Sequence, residues 1–394
     1  MDFQKSPQKK LLKQYYDVRR TTENICKRLE IEDYVVQTKD YVSPPKWHLG
    51  HTAWFFDAAF LLPLKCPTKQ FHYFKNIFNS YYKGVGEHWL QSKRGILSRP
   101  TVEQTLDYRK NVDKSVLEIL DHQDLDEEYL KIIELGLHHE QQHQELLYMD
   151  IKNILFHAPF HAPYEIDSLN QPLDFKTLID SHFVVEEGVY EFGQSEGFYF
   201  DNEFPVHKRW ITPFELTPSL VNEVEYVKFM EDKGYENPKL WLSDGWDWIQ
   251  NHKINSPLYW NKTEEGWRVF TLTGWRRIDA SYPVSHISLY EADAFARWSG
   301  RELPTEFELE HFFKSTGQKD YLWNWSRSSY EAYPGYRPYE GLLSEYNGKF
   351  MVNQYVLRGG CTYTPEAHYR PTYRNFYRAY DRWAFTGLRL CRRL

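Results

Sequence analysis

The chain has 394 residues, 41% of them hydrophobic and 18% aromatic, with a formal net charge of −7 and a pI near 6.2. That is enough apolar material for two or three domains with their own cores, while an acidic balance without a long basic block gives no electrostatic footprint for nucleic acid or for an anionic membrane surface. No apolar run approaches the roughly 18 residues of a membrane span, residues 1–7 lack an apolar signal core, and Cys26, Cys66, Cys361 and Cys391 are scattered without a C-x-x-C pair, so a cytoplasmic protein with neither membrane nor nucleic-acid partners is expected.

In chain order, helical periodicity dominates first. Segments 10–29, 48–62, 101–122 and 126–157 read as four amphipathic helices, enough for an up-down bundle. The second opens on Ser43-Pro44-Pro45-Lys46-Trp47-His48-Leu49-Gly50-His51 and continues into Trp54, Phe55 and Phe56. The fourth carries a stripe of Leu125, Tyr129, Ile132, Ile133, Leu137, Leu146, Leu147 and Ile151 at three- and four-residue steps.

Within that fourth helix stands His138-His139-Glu140-Gln141-Gln142-His143. Residues four apart on a helix lie one above the other, so His139 and His143 form a ready pair of metal ligands, and His138 is turned away from both. Bundle cores build metal sites from side chains on facing helices. One histidine of the second helix therefore completes a three-histidine face. His51 is expected to be that ligand, from its deeper placement, and His48, one turn earlier, is its rival.

A competing chemistry uses the same string. His139-Glu140-x-x-His143 is a literal H-E-x-x-H, which in zinc peptidases supplies two ligands and a general base. The further Gly and His of the longer metzincin pattern are missing, and Glu165 is the remaining third-ligand candidate.

The chain changes character near residue 158. Residues 158–182 read as a connection, and 183–394 as a second, irregular α+β domain rich in Trp and Tyr. Gly188-Val189-Tyr190-Glu191-Phe192-Gly193 reads as a strand entering a turn. A helix is expected to begin near Ser288, and Tyr355-Val356-Leu357-Arg358-Gly359-Gly360 reads as a strand ending in a glycine pair suited to positive φ.

These motifs resemble one known family. Trp47-His48-Leu49-Gly50-His51-Thr52-Ala53-Trp54-Phe55 and His139 through Leu147 look like the iron-binding segments of the DinB-like bundle in ergothioneine-biosynthesis sulfoxide synthases (EgtB). Asp201-Asn202-Glu203, Pro283-Val284-Ser285-His286, Leu303-Pro304-Thr305-Glu306 and Leu357-Arg358-Gly359-Gly360 resemble the formylglycine-generating-enzyme fold, of C-type-lectin character, that the family fuses to its bundle. Domain order and spread of motifs make the match specific over nearly the whole chain, and the peptidase alternative loses weight accordingly.

The resemblance implies Fe(II) on His51, His139 and His143, with O2 as co-substrate, joining a cysteine-type thiol (cysteine or γ-glutamylcysteine) to the imidazole of hercynine. A proton donor is then needed where oxygen is activated, and Tyr81 and Tyr82 are the catalytic candidates, one as acid and the other shaping the pocket. Another branch of the family places its tyrosine in the lectin-like domain, for which Tyr333 and Tyr336 stand ready. Arg94 or Arg99 would hold the thiol substrate's carboxylate. Gln142 would reach the betaine carboxylate, and Asn375, Phe376 and Tyr377 would receive the trimethylammonium group. Family members carry an acidic residue where this chain has Tyr377.

The close cysteine pair of formylglycine-generating enzymes has no counterpart in Cys361 and Cys391, so the second half is expected to bind substrate without metal chemistry of its own. The tyrosine pair points to cysteine as donor. An ovothiol-type synthase, acting on histidine, normally adds a methyltransferase domain after the lectin-like one; this chain stops at Leu394, which favours ergothioneine. Selenoneine synthesis is a further variant.

Overall fold

The computed structural model of the protein describes residues 7–80, 82, 84, 86–164, 178–340 and 346–394. The candidates Tyr81 and Glu165 lie outside them. The chain divides into two compact units, and the short segment Tyr363–His368 belongs with the first. The sequence alone places that segment with the second half.

The first unit is built on α1 (Pro7–Cys26), α2 (Pro45–Phe56), a short α3 (Phe71–Phe74), α4 (Val102–His122) and the long α5 (Glu127–His157). Local chemistry explains the boundaries. Pro45 starts α2, where a missing N–H costs nothing. Thr101 and Gln104 form a reciprocal capping box at α4. Glu127 and Glu128 sit in the first turn of α5 and His157 in its last, both favourable to the helix dipole. Tyr15, Trp54, Phe55, Phe56, Tyr108, Val112, Ile133 and Leu147 are buried between these helices.

Past Phe56 the helix widens into a π turn, Asp57–Leu61, and every residue of α2 and of this turn is buried. An amphipathic second helix is therefore not what forms: α2 is the central rod of the bundle, apolar or hydrogen-bonded all round.

The second unit is α+β, as expected. Its strands are β1 (Phe183–Val185), β2 (Gly188–Phe192), β3 (His207–Ile211), β4 (Phe214–Leu216), β5 (Trp260–Thr263), β6 (Gly266–Thr271), β7 (Gly274–Arg277), β8 (Trp323–Ser329), β9 (Tyr355–Arg358), β10 (Asn375–Tyr377), β11 (Thr386–Gly387) and β12 (Cys391–Arg393). They form sheets ordered β1-β4-β12 and β10-β9-β8-β11, a β2-β3 hairpin and a β5-β6-β7 meander. Helices α6 (Glu223–Glu231), α7 (Ser243–His252), α8 (Leu289–Trp298) and α9 (Glu306–Thr316) complete it, with Ser288 and Thr305 as capping-box residues of the last two.

The strand expected at 188–192 and the helix expected near Ser288 are both present. The strand from Tyr355 ends at Arg358, after which Gly359 and Gly360 take φ of +102° and +74°. A Cβ on Gly359 would stand 2.4 Å from the Phe313 ring, so glycine is required twice over. One core cluster gathers Phe192, Phe214, Leu216, Leu309, Phe312, Phe313, Tyr333 and Cys391. Cys361 and Cys391 are both buried. Among the described residues no helix is long and apolar enough to cross a membrane.

Candidate metal centre

Two helices of the bundle bring three imidazoles together. His51 from α2 and His139 and His143 from α5 are buried, and a ligand atom of each lies within 4.8 Å of the others; among the described residues this is the one His/Cys/Asp/Glu group with metal-holding geometry. His51 Nε2 and His139 Nε2 are 3.2 Å apart. Two neighbouring ligands each about 2.1 Å from an ion stand roughly 3 Å apart, so the spacing suits a shared cation.

Hydrogen bonding fixes which nitrogens face inward. His51 Nδ1 donates to the Phe78 carbonyl at 2.6 Å, because a carbonyl can only accept, and its Nε2 therefore presents a lone pair. Gly50 makes this contact possible: a Cβ there would stand 2.2 Å from the Phe78 ring. His143 Nδ1 meets His48 Nδ1 at 2.8 Å, and His48 Nε2 meets Asp150 Oδ2 at 2.9 Å. Burial pulls the pKa values of His51 and His143 well below the ordinary histidine value, helped by the neighbouring imidazoles, and burial takes His139 down to about 3 against the opposing Glu140 charge. Three neutral imidazoles with converging lone pairs are a donor set for a divalent transition metal.

The expectation about His48 needs correcting in its reason. His48 and His51 are equally buried, at 2% and 1% exposure. Depth does not separate them; the direction of the ring nitrogens does, since both of His48's are taken by Asp150 and His143.

Glu140, the would-be general base of a zinc peptidase, faces away from the histidines. It is fully buried, receives Arg19 Nη1 at 2.7 Å, Thr22 Oγ1 at 2.6 Å and Arg109 Nη2, and is held at a pKa of about 2 as the two guanidinium charges outweigh its burial. A carboxylate so engaged cannot accept a proton from water, and the peptidase alternative fails on this geometry.

An aromatic column runs through the centre. The Arg94 guanidinium lies 3.2 Å over the Trp47 ring, Trp47 stacks on His51 at 4.5 Å, His51 on Trp54 at 5.7 Å, and Trp54 approaches Tyr82 at 5.6 Å. Positions 47, 51 and 54 share one face of α2 by helical spacing. Tyr82 is fully buried, its backbone pinned by the Asn79 side chain.

Arg94 is also buried, and donates to Ser43 Oγ at 2.8 Å; among the described residues no carboxylate forms an ion pair with it, and burial lowers it to about 9. Arg99, by contrast, is exposed and bonded to the Ser98 carbonyl. Of the two arginines, only Arg94 is buried. Gln142 is half-buried on α5.

In the second unit, Asn375, Phe376 and Tyr377 form β10, half-buried. Phe376 stacks on Tyr330 at 4.1 Å and on Phe350 at 6.0 Å, and Tyr377 meets Trp383 edge-on at 5.3 Å. The alternative tyrosines are both engaged within their own unit. Tyr333 receives Arg358 Nη2 at 2.7 Å inside the core, and Tyr336 donates to Asp201 at 2.8 Å.

Sequence reasoning missed Asp150 and the Phe78 carbonyl. Asp150 left a signal, since it follows His143 by seven residues and so shares its helix face; a backbone carbonyl leaves none.

Comparison with known proteins agrees with this division. Residues 14–147 match the DinB superfamily and residues 171–332 the sulfatase-modifying factor enzyme 1-like domain. The chain is 28% identical to a protein of Mycobacterium tuberculosis named hercynine oxygenase over 48% of its own length and 55% of the relative's. It is 25% identical to one of the same name from Mycolicibacterium smegmatis, over 65% and 70%. Ergothioneine biosynthesis protein 1 of Schizosaccharomyces pombe is 26% identical over 50% of this chain and 28% of that protein. The chain thus spans about half the length of the first of these relatives.

Proposed function

We propose that this chain, which joins a DinB-superfamily domain to a sulfatase-modifying factor enzyme 1-like domain and is homologous to proteins named hercynine oxygenase, is an iron(II)-dependent sulfoxide synthase of ergothioneine biosynthesis. It joins a cysteine-type thiol to the imidazole of hercynine with O2. The observation that carries this reading is the convergence of His51, His139 and His143 as neutral imidazoles.

When bound, iron(II) supplies the Lewis acidity and one-electron chemistry that O2 requires. Everything else falls to the protein. Held by His51, His139 and His143, three uncharged ligands, the ion would keep its double positive charge and so would favour a thiolate over a thiol. Arg94, a buried cation without an ion-pair partner among the described residues, anchors the thiol substrate's carboxylate. Tyr82 holds the proton that steers the outcome toward carbon–sulfur bond formation and away from sulfinic acid. Gln142 receives the betaine carboxylate, and Asn375, Phe376 and Tyr377 the trimethylammonium group, which offers no N–H and is stabilised by ring faces.

A ferrous sample prepared without oxygen, then mixed with O2, hercynine or histidine, and cysteine or γ-glutamylcysteine, tests the proposal by mass spectrometry. The expected product is the hercynine–cysteine sulfoxide, formed with O2 consumption. Coupling to histidine instead makes the chain an ovothiol-type synthase, and absence of any coupled product refutes the reading.

A further inference from the structure

Asp150 and His48 stand behind the metal centre and touch none of the groups assigned to substrate. Asp150 Oδ2 accepts the Ser43 backbone N–H at 2.9 Å, and an N–H can only donate, so this oxygen presents lone pairs. His48 Nε2, 2.9 Å from the same oxygen, must then carry a hydrogen. A neutral His48 has its lone pair on Nδ1, and that atom faces His143 Nδ1 at 2.8 Å, so the hydrogen between them belongs to His143. His143 is left with a bare Nε2. All three side chains are at least nine-tenths buried, so water does not compete for these bonds.

We infer that Asp150 and His48 are positioning residues that select the metal-binding tautomer of His143, fix its ring plane and raise its donor strength. This deepens the metal-centre reading above and rests on it. His51 needs no such relay, because the Phe78 carbonyl performs the same selection directly. Outer partners of this kind typically contribute about 10- to 100-fold in metal affinity. The neighbouring charge is Arg94, joined to Asp150 through Ser43, whose Oγ accepts from the guanidinium while its N–H donates to the carboxylate.

Cobalt(II) titration of the whole protein, followed by its ligand-field absorption, tests this without turnover. Asp150→Asn retains an acceptor oxygen but removes the charge. His48→Phe removes the acceptor facing His143. Both are expected to weaken cobalt binding by about 10-fold or more and, at saturation, to shift the absorption bands. Asp57→Asn serves as the control: its carboxylate is buried at the end of the same helix but bonds Thr68 and Tyr108 instead, so it should lower thermal stability and leave the bands unmoved. Wild-type affinity and spectrum in both relay variants would overturn the inference. Failure of the unaltered protein to bind cobalt would overturn the metal-centre reading itself, and the relay with it.

Discussion

Arg19 Nη1 donates to Glu140 Oε2 at 2.7 Å, and both side chains are buried. His139, one residue earlier, faces the metal centre, while Glu140 ties α5 to α1 and, through Arg109, to α4. A string that spells a catalytic motif is therefore split between two faces of one helix, the histidines turned to the candidate metal centre and the glutamate holding the bundle together. Breaking one partner of a buried ion network strands the remaining charges.

Glu140→Gln is accordingly expected to destabilise the bundle by about 3–5 kcal/mol, while folded protein keeps its metal affinity. Denaturant unfolding and a metal titration in parallel check this. Loss of metal with unchanged stability would contradict the assignment.

Tyr82→Phe removes one hydroxyl from a fully buried ring beside Trp54 and leaves the aromatic column intact. Turnover should continue but divert from sulfoxide to cysteine sulfinic acid. Product ratios by mass spectrometry decide the point, and an unchanged ratio moves the acid role elsewhere.

Arg94→Met is expected to raise KM for the thiol substrate by about 10- to 100-fold, the worth of a charge-assisted hydrogen bond, with KM for the betaine little changed. Arg99→Met, made at an exposed position, should change neither. Steady-state kinetics with each substrate varied in turn separates these outcomes. Equal effects of the two substitutions would remove Arg94 from the site.

The second unit has its own buried network, in which Glu306 receives Arg358 at 2.8 Å and Arg374 at 2.9 Å. Burial pushes the Glu306 carboxyl up, yet the two guanidinium charges outweigh it and the net shift is downward. A folded-state pKa below the unfolded one, about 4.3, means stabilisation that is present above that value and lost as pH falls through the folded one. Glu306→Gln should lower stability at neutral pH and flatten the dependence on pH below about 4. Thermal unfolding across pH 2–7 measures both.

How much of this was legible beforehand follows from the range of each interaction. Helices α1, α4 and α5 and the His139/His143 pair were readable because a helix repeats every 3.6 residues, so sequence spacing fixes which side chains share a face, whereas α2, buried all round, has no such stripe. The helix starts near Thr101 and Ser288 were readable as well, because capping acts over only three residues. The resemblance supplied the domain pairing.

Only the tertiary structure decided which of His48 and His51 faces the centre, for they lie three apart with equal burial, and the difference rests on Asp150 and Phe78, both far away along the chain. It likewise separated Arg94 from Arg99, five residues apart in one loop, one stacked on Trp47 and the other exposed. Sequence determines what repeats along the chain; the tautomer of a ring, or the burial of a charge, is set by atoms that only folding brings within reach.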